Sequence, residues 1–294
     1  MISMPPLSTR SEKPSIQKLE QSAKHKTSDS VLQHFPYFFN ACLATNPVQQ
    51  RAIYRLRHQI YCEELNFEPV RESGLEHDEF DPRSIHCFIN HTKSDSLAGT
   101  VRLVTAKNAD DKLPIENYCM NSSSMLSPKH FDHNQICEIS RLAVPATIRR
   151  RKITLTENAT PLNQLLQKLE AECHSSVAVA LYLIATLVSV EKGKFHAYVM
   201  VEPALARILR RIGIHFQQIG ESINFNGKRA PYYLDMRTVS STLKPDYLAL
   251  YSLLAQQLGI RLPNTGTSSL MHSIRREQVT AAPISRSVAT AAYN

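Results

Sequence analysis

Two apolar segments of this 294-residue chain carry charged side chains in their middle. GTVRLV (99–104) places Arg102 among β-forming residues, and CEISRLAV (137–144) does the same for Glu138 and Arg141. A charge buried in a sheet is costly unless an opposite charge lies beside it. The chain must therefore fold so that other charged side chains reach these two predicted strands.

An acidic segment between the first predicted helix and these strands supplies partners for the arginines. GLEHDEFD (74–81) includes Asp78 and Asp81. Buried carboxylates this close together repel one another unless cations lie nearby. Arg57 on the preceding helix and Arg102 on the following strand are the expected cations.

The spacing of Glu138 and Arg141 raises a geometric problem. On a regular strand, residues three apart face opposite sides of the sheet. A β-bulge near Ser140 would bring both side chains to one side. We therefore expect a bulge at this position.

The order of helices and strands predicts an α/β (α+β) fold with a central mixed sheet flanked by helices. Asn46 and Pro47 are typical of a helix start, and apolar residues then recur at helical spacing up to Leu65. A long helix is expected from about Asn163 or later to Glu191. Further helices are predicted at 204–212 and 245–258, and strands at 85–91, 98–106, 136–144, 194–201, 215–219 and 229–236.

The chain ends are polar and lack apolar periodicity. We predict a flexible N-terminal arm (1–34) with a short helix near 16–24, one domain (35–263) and a flexible C-terminal tail (264–294). The chain has no apolar leader, and the apolar run 177–190 is too short for a membrane span, so we expect a cytoplasmic protein without a transmembrane segment. The six cysteines show no metal-binding spacing, so we expect no metal and assign Cys137 to the core.

Each charged fragment also has a plain structural interpretation. The acidic segment alone is typical of a solvated loop or a weak cation site, although it lacks the spacing of an EF-hand. Glu138 and Arg141 alone are compatible with a structural ion pair. The case for a site depends on the order of all the fragments together.

In that order the chain resembles the LuxI-type acyl-homoserine-lactone synthases, which have a GNAT-like fold. The similar blocks are RHQIYCEELNF (57–67), LEHDEFD (75–81), GTVRLV (99–104) and EISRLAV (138–144). A nearer resemblance is to the acyltransferases associated with PEP-CTERM/exosortase systems, which are similar to N-acyl amino acid synthases of the FeeM type. That likeness extends through VEPALARILRRIGIHFQQIGESINFNGKRAPYYLDM (201–236).

The resemblance implies roles for individual residues. It implies that Glu138 and Arg141 are catalytic, with Glu138 helping to deprotonate the acceptor amine. It implies that the acceptor side is formed by Arg57, Tyr61, Phe67, Asp78, Asp81 and Arg102. Phe67 stands where the lactone synthases have tryptophan, which keeps aromatic stacking but removes an indole donor.

The resemblance also implies a donor without a tightly bound cofactor: an acyl thioester of acyl-carrier protein, or acyl-CoA. After Val144 the chain lacks the glycine-rich turn that commonly holds coenzyme A. The basic residues Arg149, Arg150, Arg151 and Lys152 and the net charge of +8 suit docking of an acidic carrier protein, although a solvated basic loop explains them nearly as well.

The leading hypothesis is thus an N-acyltransferase acting on an amino acid or similar small amine. One alternative is an acyl-homoserine-lactone synthase that uses S-adenosylmethionine. Another is a protein that binds an acyl ligand without catalysis, or one that binds nucleic acid. The high pI supports nucleic-acid binding, but no helix-turn-helix, RNA-recognition or zinc-finger pattern accompanies it, so we expect no nucleic-acid partner.

Overall fold

A mixed β-sheet forms the centre of the protein in a computed structural model that describes residues 31–108, 110–119, 124–150 and 160–262. Within these residues the sheet has eight strands. They are β1 (Phe39–Leu43), β2 (Ser84–His91), β3 (Leu97–Thr105), β4 (Ile136–Ala143), β5 (His196–Val201), β6 (Gln217–Gln218), β7 (Ile223–Asn224) and β8 (Lys228–Asp235).

The strand order is β1-β2-β3-β4-β5-β8-β6, and β7 pairs with β8. All the pairs are antiparallel except β4–β5, which is parallel. The pairing of β4 with β5 ends at Ile139 and Val199, although β4 continues to Ala143 and β5 to Val201. The two strands therefore separate at their carboxyl ends, and this opening lies beside the charged residues of β4.

Five longer helices accompany the sheet: α1 (Pro47–His58), α2 (Pro161–His174), α3 (Val177–Glu191), α4 (Pro203–Ile212) and α5 (Pro245–Leu258). Single α-helical turns occur at Phe35–Phe38, Glu116–Cys119, Ala146–Arg149 and Val239–Thr242. Tighter 3₁₀ turns occur at Val31–His34, Asp81–Arg83, Pro128–His130, His133–Gln135 and Met236–Thr238. The predicted α/β fold with helices flanking a mixed sheet is confirmed.

Helix α1 begins as the sequence predicts, because the Asn46 side chain accepts a hydrogen bond from the N–H of Gln49 at 3.0 Å. At Gln59 the α-helix changes into a wider π-helical turn, Gln59–Glu64. The Tyr61 carbonyl then accepts hydrogen bonds from the N–H groups of Phe67 and Glu68. After this turn the acidic segment returns to α1, where the Glu76 N–H donates to the Tyr54 carbonyl at 3.0 Å.

Adjacent residues of β4 show which helix covers which face. The Cys137 sulfur lies 3.2 Å from Ser189 Oγ on α3, so this side of β4 packs against that buried helix. Successive residues of a strand face opposite sides, so Glu138 lies on the other face, toward α1 and the acidic segment. Cys137 is fully buried, in agreement with its assignment to the core.

The long helix predicted from about Asn163 or later to Glu191 ends at Glu191 as expected, but it is divided into two helices. Residues Ser175 and Ser176 separate α2 from α3, and the two helices are bent by 56°. The Ser175 hydroxyl donates to the Glu172 carbonyl at 2.7 Å, and such local bonds compete with helix continuation. The strand predicted at 215–219 is shorter in the structure, Gln217–Gln218. The sequence did not indicate β1, a five-residue strand at the edge of the sheet. The Ala41 N–H of β1 donates to the side chain of Gln257 on α5.

The two predicted end segments lie mostly outside the described residues. Residues 31–34 of the predicted arm form a turn with Leu32 and His34 buried, and the proposed helix near 16–24 is not described. The chain divides into the units Met1–Ile260 and Arg261–Asn294, and only residues 261 and 262 of the second are described. Among the described helices, none is long and apolar enough by itself to cross a membrane, and only the bent α2–α3 pair would have the necessary length and composition.

Replacement of Gly213 by alanine should destabilise the fold strongly. Gly213 ends α4 with a φ of +107°, and an added Cβ would overlap the Thr242 carbonyl and lie 2.6 Å from Leu243 Cα. Gly259 ends α5 at a φ of +67° with open space around it, so Gly259→Ala is a matched control. We expect Gly259→Ala to lower the free energy of unfolding by about 1 kcal/mol and Gly213→Ala by about 2 kcal/mol more, measured by urea unfolding. Equal losses would contradict this packing.

Candidate active site

Arg57 is fully buried on α1 and binds two carboxylates of the acidic segment. Its Nε donates to Glu76 Oε2 at 2.5 Å, and its two terminal nitrogens donate to the oxygens of Asp81 at 2.7 and 3.1 Å. Burial alone would raise the pKa of Asp81, but hydrogen bonding to Arg57 and the charges of Arg57 and Arg102 hold it well below the usual range. Asp81 and Arg57 therefore both remain charged inside the protein.

Arg102 lies on β3 and binds both aspartates of the acidic segment. Its Nη1 donates to Asp78 Oδ1 at 2.5 Å and to Asp81 Oδ1 at 3.0 Å, and its Nε donates to Ser140 Oγ at 3.1 Å. The acidic segment is braced from within as well, since the Asp78 N–H donates to Asp81 Oδ2 at 2.7 Å. Arg102 thus connects the loop, β3 and β4.

Arg141 lies in the predicted bulge. Thr100 pairs with Ala143 and Arg102 with Ser140, so two residues of β4 lie opposite one residue of β3. Arg141 has a φ of +50°, a conformation that costs a non-glycine residue about 1–2 kcal/mol. Its guanidinium makes compensating contacts with carboxylate oxygens of Glu76, Glu68 and Asp78, at 3.1, 3.2 and 3.3 Å.

Together these contacts form a network in which, among the described residues, three arginines share four carboxylates. The carboxylates are Glu68, Glu76, Asp78 and Asp81. Glu76 is fully buried and touches both Arg57 and Arg141, yet the sequence analysis did not select it or Glu68. Both belong to an acid-rich stretch whose pattern does not reveal which carboxylates face inward. We call this set the ion network.

Glu138 lies beside the ion network and differs from its carboxylates. Only 4% of its surface is exposed, and the described residues include no cation in an ion pair with it. Its Oε2 accepts the N–H of Ile115 at 2.6 Å. Burial raises the pKa of Glu138 to about 7, against the lowering effects of that hydrogen bond and of Arg102 and Arg141. At neutral pH this carboxyl can therefore both accept and release a proton.

A cavity of about 300 Å³ opens over these side chains. Its lining includes six of the residues selected from the sequence: Tyr61, Phe67, Asp78, Arg102, Glu138 and Arg141. Arg57 and Asp81 do not line it and lie in the ion network beneath. The rest of the lining includes Glu68, Phe80, Ile115, Tyr118, Met200, Phe225 and Arg229.

The two aromatic residues selected from the sequence lie at the cavity wall. The Tyr61 hydroxyl donates to the Leu142 carbonyl at 2.8 Å, and its ring centre lies 5.6 Å from the guanidinium carbon of Arg141. The ring centre of Phe67 lies 5.6 Å from the guanidinium carbon of Arg229. Both rings therefore place an arginine next to an aromatic face.

The basic cluster after β4 is only partly described. Arg149 Nη2 donates to Glu64 Oε2 and its Nε donates to the Val144 carbonyl, both at 2.7 Å, and Arg150 is exposed. Arg151 and Lys152 lie outside the described residues. Docking of a carrier protein on this cluster therefore stays a prediction.

A second cluster lies outside the cavity lining. His91, Glu170 and His174 each offer one atom, and these atoms all lie within 4.8 Å of one another. The Nε2 atoms of His91 and His174 lie 3.0 and 3.7 Å from Glu170 Oε1. These distances also suit imidazole–carboxylate hydrogen bonds, so the cluster does not change the expectation that the reaction needs no metal.

Comparison with known proteins agrees with this architecture. Residues 56–157 match the family model of the acetyltransferase (GNAT) domain. The matched segment contains the last three residues of α1, the acidic segment, β2–β4 and every residue of the ion network. The predicted GNAT resemblance is therefore confirmed. No curated protein matches the chain in sequence.

Three solved structures are similar to the chain at low sequence identity. TofI, crystallised with an inhibitor and MTA, has a TM-score of 0.50 and 15% identity, covering 70% of this chain and 98% of its own. The acyl-homoserine-lactone synthase LasI has a TM-score of 0.47 and 13% identity, covering 77% and 98%. FeeM, an N-acyl amino acid synthase from uncultured soil microbes, has a TM-score of 0.46 and 15% identity, covering 70% and 94%.

Removal of the Arg57 guanidinium should destabilise the protein strongly. Arg57→Met leaves the buried carboxylates of Glu76 and Asp81 without their main cation, and such losses cost about 3–5 kcal/mol. Arg149→Met is the control, because that pair with Glu64 is partly exposed and should contribute less than about 1 kcal/mol. The measurement is the free energy of unfolding at pH 7. If Arg57→Met costs no more than Arg149→Met, the ion network does not stabilise the fold.

Proposed function

We propose that the protein is an N-acyltransferase that moves a fatty acyl group from a thioester to the amine of an amino acid or a similar small acceptor. The observation that carries the proposal is Glu138, a buried carboxyl with a pKa of about 7 in the wall of the cavity. The GNAT domain match over residues 56–157 supports acyl transfer as the reaction class.

Glu138 supplies the base that the reaction requires. An ammonium group has no lone pair for attack, so it must lose a proton before it reacts with a thioester. A general base works best when its pKa lies near the working pH. Glu138 meets this condition and takes the proton directly or through a water molecule.

The transfer then proceeds without a covalent enzyme intermediate. The amine nitrogen attacks the thioester carbonyl, a C–N bond forms, the C–S bond breaks, and the thiolate leaves and takes up a proton. Where β4 separates from β5, backbone N–H groups are suited to donate to the developing oxyanion. Cys137 takes no part, because it is buried on the opposite face and burial raises its thiol pKa to about 12.

The opening between β4 and β5 is also the proposed entrance of the thioester. We place the donor thiol there, with its carrier outside, near the basic residues Arg149 and Arg150. The absence of a glycine-rich turn after Val144 disfavours coenzyme A. The net charge of +8 agrees with docking of an acidic acyl-carrier protein. Helix α3 does not line this cavity, because it packs on the other face of β4.

The direct test is product analysis by mass spectrometry. The protein is incubated with acyl-carrier-protein thioesters, or with acyl-CoA, and a mixture of amino acids, with and without S-adenosylmethionine. We expect acyl amides without S-adenosylmethionine. An acyl-homoserine lactone formed only in its presence would identify the lactone-synthase alternative, and no product with any donor or acceptor would contradict acyl transfer.

Substitution of Glu138 by glutamine should lower kcat by about 10²–10⁴-fold, since it removes a positioned general base. The change preserves size and the ability to accept the Ile115 N–H. Glu191→Gln, an exposed residue at the end of α3, is the matched control and should keep wild-type turnover.

A second acceptor separates loss of the base from loss of structure. Hydroxylamine is largely unprotonated at neutral pH, so its acylation should depend much less on Glu138 than that of an amino acid. A Glu138→Gln enzyme with normal turnover of amino acids would exclude the proposed role. An equal loss with both acceptors would show that the substitution damages the site in another way.

A further inference from the structure

Arg229 is the arginine of the cavity wall that the ion network does not reach. Arg102 and Arg141 each contact at least two carboxylates, whereas no carboxylate among the described residues forms an ion pair with Arg229. It contacts the ring of Phe67, whose centre lies 5.6 Å from the guanidinium carbon. Arg229 is half-buried and carries its positive charge into the cavity wall.

The strand register places Arg229 on the same face of the sheet as Glu138. Glu138 pairs with Tyr198, and Tyr198 pairs with Tyr233 on β8, so these three side chains share a face. Arg229 precedes Tyr233 by four residues on the same strand, and side chains an even number apart point the same way. Arg229 therefore faces the cavity near the separated ends of β4 and β5.

Electrostatics agree with this placement. Burial raises the pKa of Tyr61, while the positive charges of Arg141, Arg57 and Arg229 oppose that increase. Arg229 thus lies near enough to influence a phenol at the cavity wall. It does so from the β8 side, while Arg141 acts from β4.

A half-buried guanidinium without a carboxylate loses hydration that one aromatic contact replaces only in part. The planar fork of arginine is well suited to a carboxylate or a phosphate, which it can bind through two parallel hydrogen bonds. The remaining partner is therefore expected to be an anionic group of a substrate. An acceptor carboxylate and a donor phosphate share this chemistry.

We propose that Arg229 binds the carboxylate of the acceptor, so that the acceptor is an amino acid rather than a simple amine. This inference rests on the proposed N-acyltransferase function. Glu138 suits the amine end of such a molecule, and Arg229 suits its carboxylate end. The ion network already neutralises Arg102 and Arg141, so Arg229 has the positive charge that remains available for the acceptor.

The test compares an amino acid with its methyl ester, which keeps the amine but removes the carboxylate charge. The amino acid is the one that the wild type acylates fastest. Rates are measured for the wild type, Arg229→Gln and Arg229→Lys. Arg207→Gln, an exposed arginine on α4, is the control for the same change in net charge.

We expect Arg229→Gln to raise the KM for the amino acid about 10- to 100-fold, the usual effect of losing a charged hydrogen bond. The KM for the thioester should stay near the wild-type value. The wild type should favour the acid over the ester, Arg229→Gln should lose that preference, and Arg229→Lys should keep part of it.

Two results would overturn the inference while leaving acyl transfer intact. One is an unchanged preference for the acid in Arg229→Gln. The other is a selective increase in the KM for the thioester, which would assign Arg229 to a donor phosphate. A wild type that forms no acyl amide with any acceptor would instead contradict the proposed function, and this inference with it.

Discussion

The buried guanidinium of Arg57 joins α1 to the acidic segment, whose carboxylates would otherwise repel one another. It fastens the acidic segment to α1 through Glu76 and Asp81, and Asp81 then shares its oxygen with Arg102 on β3. Because Glu76 also contacts Arg141, the same arrangement supports the strained residue at the bulge of β4. The shape of the cavity wall thus follows from charge pairing below it.

The distribution of charge separates structural from chemical residues. The arginines and carboxylates of the ion network satisfy one another, and their arginine partners lower the pKa of Glu76 and Asp81 against the effect of burial. Glu138 is the exception among the acids, since burial rather than a cation dominates its pKa. Arg229 is the exception among the cavity arginines, since its recorded contact is an aromatic ring. These two exceptions are the groups to which we assign the amine and the carboxylate of the acceptor.

Much of the site could be predicted from the sequence because its charged residues lie in segments with strong local signals. Arg102 and Glu138 sit in evident strands, and the three-residue spacing from Glu138 to Arg141 required a bulge, which the register of β3 and β4 shows. In the structure, Arg57 and Asp81 lie beneath the cavity and do not line it. The periodicity of a strand or helix shows which face a side chain occupies. It does not show how far below the cavity that side chain lies.

Other features depended on contacts between distant segments. Glu76 became the most buried acid of its loop because Arg57 and Arg141 approach it from two different elements. Arg229 reaches the cavity only because β8 lies next to β5 in the sheet, an order that is not evident along the chain. The break between α2 and α3 was missed because apolar residues continue across it, while two serines change the local hydrogen bonding.

The proposed reaction requires that Glu138 be ready to accept a proton at neutral pH. The most direct measurement is a carboxyl titration by carbon NMR on protein with labelled glutamate, with Glu138→Gln used to assign the signal. We expect the signal that is lost in Glu138→Gln to titrate with a pKa of about 7 in the wild type. A value near the ordinary glutamate pKa of about 4.3 would contradict it.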